Sequence, residues 1–315
     1  MVPQLNEKVG RRGFLKCMQW AGAAVVWSFS SGIPSSQLLG APNDQTKAAD
    51  FTFVQISDSH IGINTPANID VARTLQVAVD QINAAVRQPD LILHTGDLTN
   101  LAKPAEFDEL DQILKNLRQK EVFYVPGEHD ITGDDGKLFL ERFGKAGAGK
   151  AWQSFDHKGV HFIGLNNCIQ LEGLGAVGAE QLDWLGRDVA SIPASTPIVV
   201  FAHIPLWSVY PKWGWGTRDS AQALSLLKRF GSVTVLNGHF HQVMQKVEGN
   251  VTFHTARSTA FPQPAPGSAR SAGSLTVPAE RLRQVLGLTS VNFTTGNHQL
   301  AIVDTPLGWK YNRRE

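Results

Sequence analysis

Short runs of apolar residues, many of them β-branched or aromatic, recur along the chain, and each ends near Gly, Asp, Asn or Pro. Five of these runs are followed within a few residues by Asp, Glu or His; they are 51–56, 91–93, 122–125, 198–201 and 233–236. Runs of this length and composition predict buried β-strands. In sheets built from such strands, ligands bind in the crevice outside the strand carboxyl ends. We therefore expect polar residues from five distant segments to meet at one edge.

Between these runs, apolar residues recur at helical spacing, and capping residues mark several helix ends. The predicted helices cover 71–82, 107–117, 179–190, 219–230 and 278–287. The segment 258–273 is dense in Pro, Ser, Gly and Ala and predicts a loop. A strand, helix, strand rhythm favours parallel pairing with right-handed crossovers.

Composition narrows the class of protein. The chain has 315 residues, of which 42% are hydrophobic and 18% charged, as in an ordinary globular protein. Its formal net charge of +1 gives no general attraction to nucleic acid. We therefore expect no nucleic-acid polymer as a partner, and any anion binding has to come from a local site.

The N-terminus has the layout of an export signal. Arg11 and Arg12 precede Phe-Leu-Lys, and no charged residue follows from Cys17 to Asn43. The paired arginines resemble a twin-arginine signal. We expect residues 1–48 to be this signal and a linker, and residues 49–315 to be one domain. The twin-arginine machinery would then export the folded protein to the periplasm or another extracytoplasmic compartment.

The uncharged stretch leaves a second interpretation open. A transmembrane helix needs about 20 residues, and this stretch is long enough. Transient or retained membrane association through the signal is therefore an alternative to its cleavage.

The polar residues that follow the apolar runs are typical metal ligands. They are Asp58, His60, Asp97, Glu128, His203, His239 and His241. Imidazole with carboxylate suits Mn, Fe, Zn, Co or Ni, in divalent or mixed-valence pairs, whereas oxygen ligands alone suit Mg or Ca. This set is too large for one ion with an open catalytic position, and it fits two ions. Two ions about 3.5 to 4 Å apart can clamp a phosphoryl group and share an attacking hydroxide. The pattern thus predicts hydrolysis at phosphorus.

The same residues form ordered motifs that resemble those of calcineurin-like metallophosphoesterases. The motifs are Asp58-x-His60, Gly96-Asp97, Gly127-Glu128-His129-Asp130, His203 and Gly238-His239-x-His241. The segments 175–185 and 199–205 further resemble the branch that includes class III cyclic-nucleotide phosphodiesterases. The resemblance implies an α/β fold, a four-layer sandwich of two mixed β-sheets with helices outside.

The resemblance also implies roles for the motif residues. Asp58, His60 and His241 would hold one metal, His203, His239 and Glu128 the other, and Asp97 would bridge them. His129, oriented by Asp130, would protonate the leaving group or contact the phosphate, which suits a His near its unperturbed pKa.

One position departs from the family pattern, because Glu128 stands where the family ordinarily has Asn. Two divalent ions and three carboxylates leave a formal charge of +1, whereas an Asn would leave +2. A dianionic monoester loses more from this change than a monoanionic diester does, because the attraction scales with the product of charges. Glu128 would therefore disfavour monoesters, accommodate a trivalent ion, or simply exchange one ligand for another.

The segment from Trp207 to Arg218 is rich in aromatic, basic and Gly residues. Trp213, Trp215 and Arg218 are candidates for stacking on a substrate and for holding its phosphate. The alternative is a loop whose tryptophans pack over the sheet. Asn100 is a further candidate for a phosphate oxygen, or else a turn residue.

The sequence thus predicts an exported dinuclear-metal phosphoesterase that hydrolyses a small-molecule phosphoester, most naturally a phosphodiester. One alternative within the class is a phosphomonoesterase or nucleotidase. Another is an exported metal-binding pseudoenzyme without catalytic activity, for which Glu128 is the supporting feature.

Overall fold

The structure of the protein is a computed structural model, which describes residues 24–30, 33–39, 50–144, 147, 149–170, 173–295 and 300–309. The chain divides into two units, Met1–Ala48 and Ala49–Glu315. In the first unit, strands β1 (Ala24–Ser30) and β2 (Ile33–Leu39) pair antiparallel. The predicted twin-arginine pair lies outside the described residues. Among the described helices, none combines the length and the apolar character needed to cross a membrane.

The second unit contains a five-stranded mixed sheet. Its strands are β3 (Phe51–Ile56), β4 (Leu91–Thr95), β5 (Val122–Val125), β12 (Gly287–Phe293) and β13 (Ala301–Pro306). They lie in the order β13-β12-β3-β4-β5. Strands β3, β4 and β5 are parallel, and β12 is antiparallel to both of its neighbours.

The second unit also contains a six-stranded mixed sheet. Its strands are β6 (Gln153–His157), β7 (Val160–Leu165), β8 (Ile198–Ala202), β9 (Val233–Asn237), β10 (Gln245–Glu248) and β11 (Val251–Thr255). They lie in the order β10-β11-β9-β8-β7-β6. The four central strands are parallel, and the strand at each border is antiparallel to its neighbour.

Helices cover the outer face of each sheet. They are α1 (Val71–Asn83), α2 (Pro104–Leu114), α3 (Lys137–Phe143), α4 (Ala179–Val189), α5 (Ser220–Leu227) and α6 (Ala279–Val285), with a 3-10 turn at Pro211–Trp213. Apolar residues of α1, α2 and α3 pack on the first sheet, and those of α4 and α5 pack on the second. All five predicted helices are present. The α2 helix begins at Pro104, three residues before the first residue of its apolar stripe, because Pro is favoured in the first turn.

The two sheets pack face to face through a buried apolar core. Phe53 and Leu93 belong to the first sheet and meet Phe162 and Phe201 of the second. The Phe53 and Phe162 rings lie edge to face with centroids 5.3 Å apart, a favoured aromatic arrangement. The fold is therefore the predicted sandwich of helices, sheet, sheet and helices.

Parallel pairing determines where the functional loops lie. The last residue of β3, Ile56, is paired with His94 of β4, and Ala202 of β8 is paired with Asn237 of β9. The loops that follow these strands consequently leave side by side at one edge of the sandwich, as expected from the five apolar runs.

Candidate metal centre

The structure brings all seven candidate ligands together at this edge, where they form two groups of three with Asp97 between them. The first group is Asp58, His60 and His241. The Nε2 atom of His241 lies 3.3 Å from Asp58 Oδ1 and 3.2 Å from His60 Nε2. These three side chains come from the loops after β3 and β9.

The second group is Glu128, His203 and His239, from the loops after β5, β8 and β9. Glu128 Oε2 lies 2.9 Å from His203 Nε2, and Glu128 Oε1 lies 2.9 Å from His239 Nδ1. The two imidazole nitrogens are 3.3 Å apart. Ligand atoms of these three side chains thus lie close enough to one another to hold one cation.

Asp97 faces both groups. Its Oδ2 atom lies 3.5 Å from His60 Nε2 and 3.3 Å from His203 Nε2. Its other oxygen, Oδ1, accepts a hydrogen bond of 3.0 Å from the backbone N–H of His129. This bond orients the carboxylate so that one oxygen is directed between the two groups.

Backbone carbonyls determine which imidazole nitrogen faces the centre. His203 Nδ1 lies 2.8 Å from the Thr95 carbonyl, and His241 Nδ1 lies 2.6 Å from the Phe261 carbonyl. A carbonyl oxygen only accepts, so each Nδ1 carries the proton and donates it. Each Nε2 is therefore the nitrogen that faces the centre, which is the usual arrangement of a metal-binding His.

Burial and neighbouring charges set the protonation of the centre. Burial lowers the pKa of His60 to about 3, so its imidazole is neutral. Burial alone would raise the pKa of Glu128, but His239 and His203 hold it well below its usual range. His241, His203 and His60 likewise outweigh burial and lower the pKa of Asp58, so its carboxylate is ionised. The carboxylates of Asp97 and Glu128 outweigh burial and raise the pKa of His203 well above its usual range. His203 Nε2 must therefore lose a proton before it binds a cation, because metals bind neutral imidazoles and ionised carboxylates.

The donor set therefore fits divalent transition cations. Three carboxylates converge in a buried space, and of the described residues that line the adjoining cavity none is a lysine or an arginine. Buried charges of one sign require a counterion, and metal coordination supplies one.

The backbone at the centre is unusual, because five of the seven candidate ligands adopt left-handed φ angles. They are Asp58 (φ 53°), His60 (φ 43°), Asp97 (φ 50°), His239 (φ 70°) and His241 (φ 55°). Asp and His are among the residues that enter this region most readily, yet it still costs on the order of 1–3 kcal/mol per residue. The packed sheets below the loops sustain this strain, and the loops turn back sharply enough for neighbouring ligands to converge.

Two motif glycines are required by close contact rather than by backbone angle. A Cβ atom on Gly127 would lie 2.0 Å from Asp97 Oδ1, and one on Gly238 would lie 2.6 Å from Asp58 Oδ2. Each glycine therefore allows one loop to pack directly against a ligand carboxylate from another loop.

His129 lies beside the first group, with its ring 4.7 Å from that of His60. Its Nδ1 donates to the Asn100 carbonyl at 2.7 Å. The prediction that Asp130 orients this imidazole was wrong, because the Asp130 carboxylate instead accepts hydrogen bonds from the backbone N–H groups of Leu98, Thr99 and Gly127. Asp130 thus joins two ligand loops, and Asn100 orients His129 through its backbone. That carbonyl carries no sequence signal.

Opposing effects determine the charge of His129. Burial lowers its pKa, but the carboxylates of Asp97 and Glu128 and the hydrogen bond to Asn100 outweigh burial and raise it to about 8. With Nδ1 occupied, Nε2 is the nitrogen that remains for a ligand.

A cavity of about 310 Å³ opens over the centre, and Trp213 and Trp215 are among the residues that line it. Trp215 is fully buried, and its ring packs 4.3 Å from that of Phe240. Trp213 is only half-buried. Trp215 thus packs as a structural residue, which was the alternative to a substrate contact. Trp213 is the indole that is more accessible to a ligand.

The two other predicted substrate contacts lie less favourably. Arg218 is exposed and Asn100 is half-buried. Neither is among the described residues that line the cavity. Sequence reasoning missed Phe261, Gln263 and Ser274, which line the cavity from the predicted Pro-rich loop and its continuation. The only sequence signal for these three residues was the position of their loop, which comes directly after β11.

Comparison with known proteins agrees with the fold. Residues 51–243 match the family described as calcineurin-like phosphoesterase, which covers more than half of the chain. The chain therefore belongs to the calcineurin-like phosphoesterase family, whose members use divalent metals, and it is a metal-dependent phosphoric ester hydrolase.

Individual relatives carry the names of phosphodiesterases. A 3′,5′-cyclic-nucleotide phosphodiesterase of Nostoc sp. is 25% identical over 216 residues, or 67% of this chain and 79% of that protein. A probable glycerophosphodiester phosphodiesterase of Arcobacter nitrofigilis is 24% identical over 216 residues, or 65% of this chain and 77% of that protein. The fold resembles a dimetal phosphatase from Danio rerio with a TM-score of 0.61 and 14% identity, covering 82% of this chain and 96% of that one.

Proposed function

We propose that this protein is an exported phosphodiesterase whose centre holds two divalent metal ions. The observation that carries the proposal is the division of the ligands into two groups of three with Asp97 directed between them. In this proposal Asp58, His60 and His241 hold one ion, and Glu128, His203 and His239 hold the other.

Bound there, the two ions would activate water and withdraw charge from a phosphoryl group. The chain's own residues would then position the substrate and manage the proton. Trp213, Phe261 and Gln263 border the opening over the ligands, where they would contact a bound substrate.

His129 would supply the proton to the leaving group. Its Nδ1–H is held by the Asn100 carbonyl, so Nε2 is the nitrogen that would carry the transferred proton. A protonated Nε2–H beside the ligands can be given to an alkoxide as it departs, which is general acid catalysis.

Two features favour diesters over monoesters. Glu128 lowers the formal charge of the loaded centre by one relative to an Asn, which weakens attraction to a dianion more than to a monoanion. In addition, of the described residues lining the cavity none is a lysine or arginine that could neutralise a second phosphate charge. The relatives with phosphodiesterase names support the same class.

The test is to compare bis-p-nitrophenyl phosphate with p-nitrophenyl phosphate for the wild type and Glu128→Asn, alongside metal analysis of both proteins. We expect two metals per chain, a preference for the diester, and a shift toward the monoester in the variant. An unchanged ratio with full metal content would refute the charge argument. A wild type that prefers the monoester would establish the phosphomonoesterase alternative.

Export is supported by the residue pattern of the N-terminus. Arg11 and Arg12, followed by an uncharged stretch, resemble a twin-arginine signal. Replacing both by lysine should retain the protein in the cytoplasm, as cell fractionation would reveal. Unaltered distribution between the compartments would contradict this route.

A further inference from the structure

A second cavity, of about 470 Å³, lies on the six-stranded sheet side of the fold and shares no lining residue with the cavity over the metal centre. It is formed by the start of β6 and the exposed side of α4. Two half-buried indoles, Trp152 and Trp184, line it with ring centroids 6.4 Å apart and planes at 49°. We call this cavity the Trp152–Trp184 cleft. Half-buried indoles at a cavity wall offer stacking surface for a planar ring.

The charges around the cleft are unequal. Lys150 lies with its Nζ 5.1 Å from the Trp152 ring centre and is paired with Glu180 at 2.8 Å, so these two charges offset each other. Arg187 is exposed beside them and has no ion pair or hydrogen bond among the described residues. One uncompensated guanidinium thus stands at the cleft, and guanidinium is a planar, multidentate donor for phosphate or carboxylate.

A buried amide forms part of the wall of the cleft. Gln153 is nine-tenths buried and lines the cleft. Its Nε2 donates to the Tyr124 carbonyl at 2.8 Å, which fixes the amide orientation. Its Oε1 has no hydrogen-bond partner among the described residues.

We propose that the Trp152–Trp184 cleft is a second binding site, distinct from the metal centre, for a small planar ring that carries an anionic group, as a nucleoside monophosphate does. The ring stacks on one indole and meets the other at an angle. The anionic group pairs with Arg187.

The test is isothermal titration calorimetry of the metal-loaded full chain with adenosine 5′-monophosphate, adenosine and inorganic phosphate. Stacking and a charge-assisted hydrogen bond each contribute enough for about tenfold in affinity. We therefore expect Trp184→Ala and Arg187→Gln each to weaken binding of the monophosphate about tenfold. The control is Arg73→Gln, which removes an exposed charge from α1 and should change nothing.

The outcomes separate this site from the metal centre. Monophosphate bound only at the centre would be insensitive to Arg187→Gln, and that result overturns the proposal. Because Arg187 is exposed, Arg187→Gln should leave folding intact. An unchanged melting temperature of the variant would verify this. Both cleft variants should hydrolyse bis-p-nitrophenyl phosphate at the wild-type rate. Weakened monophosphate binding with unchanged hydrolysis would therefore support the second site even if the proposed diester preference failed.

Discussion

The contact between Gly127 and Asp97 gives the sharpest prediction. In Gly127→Ala the new Cβ would lie 2.0 Å from Asp97 Oδ1, 2.3 Å from its backbone nitrogen and 2.7 Å from its Cγ. Real Cβ atoms stay beyond 3.0 Å from such neighbours, so one loop must move by about 1 Å. Asp97 faces both ligand groups, and hence this movement disturbs both.

A misplacement of about 1 Å at reacting groups can lower the rate about 10²-fold, and we expect a loss of that size in kcat/KM for bis-p-nitrophenyl phosphate. Metal content should fall as well, as measured by plasma mass spectrometry. The matched control is Gly186→Ala in α4, where the new Cβ would meet only Leu226 at 3.8 Å. That variant should keep full activity. If Gly127→Ala binds its metals and retains activity within twofold of the wild type, the packing argument is wrong.

Three further predictions concern other residues. His129→Asn should lower kcat about 10²- to 10⁴-fold for esters with alkyl leaving groups and much less for p-nitrophenyl esters, since nitrophenolate needs no proton; equal losses would exclude acid catalysis. Trp215→Ala should lower the free energy of unfolding by about 3–5 kcal/mol in urea titrations, whereas Trp213→Ala should chiefly raise KM; the reverse pattern would contradict their assignments. Burial lowers the pKa of His161, but the carboxylates of Asp188 and Asp156 outweigh burial and raise it. A group whose pKa is higher in the folded than in the unfolded state stabilises the fold below about pH 6.5, and this contribution is lost as the pH rises. The wild type should therefore exceed His161→Gln in free energy of unfolding by more at about pH 6 than at about pH 9.

The strands and ligand positions were predictable because both have local signals. A run such as Phe51–Ile56 is apolar on both faces because helices cover one side and the second sheet the other. The Asp58 and His239 side chains follow such runs directly, so strand prediction also placed the ligands. The sandwich itself came from the resemblance of the motifs.

Other features depend on long-range contacts that no local pattern encodes. The Asn100 carbonyl that holds His129 is a backbone atom. Burial of Trp215 depends on Phe240, from a distant segment. Strand β12 pairs with β3, more than two hundred residues earlier in the chain, and its short mixed sequence gave no strand prediction.

The left-handed conformations have a consequence for how this centre can change. At five ligand positions the backbone itself selects the residue type, because Asp and His tolerate this region and β-branched or bulky residues do not. Glu128 and His203 are the two ligand positions free of that restriction. Substitution by a different ligand is thus structurally permitted at Glu128, which is where this sequence departs from the family pattern. Engineering of metal preference should accordingly begin at these two positions, since the other five are constrained twice, by coordination and by conformation.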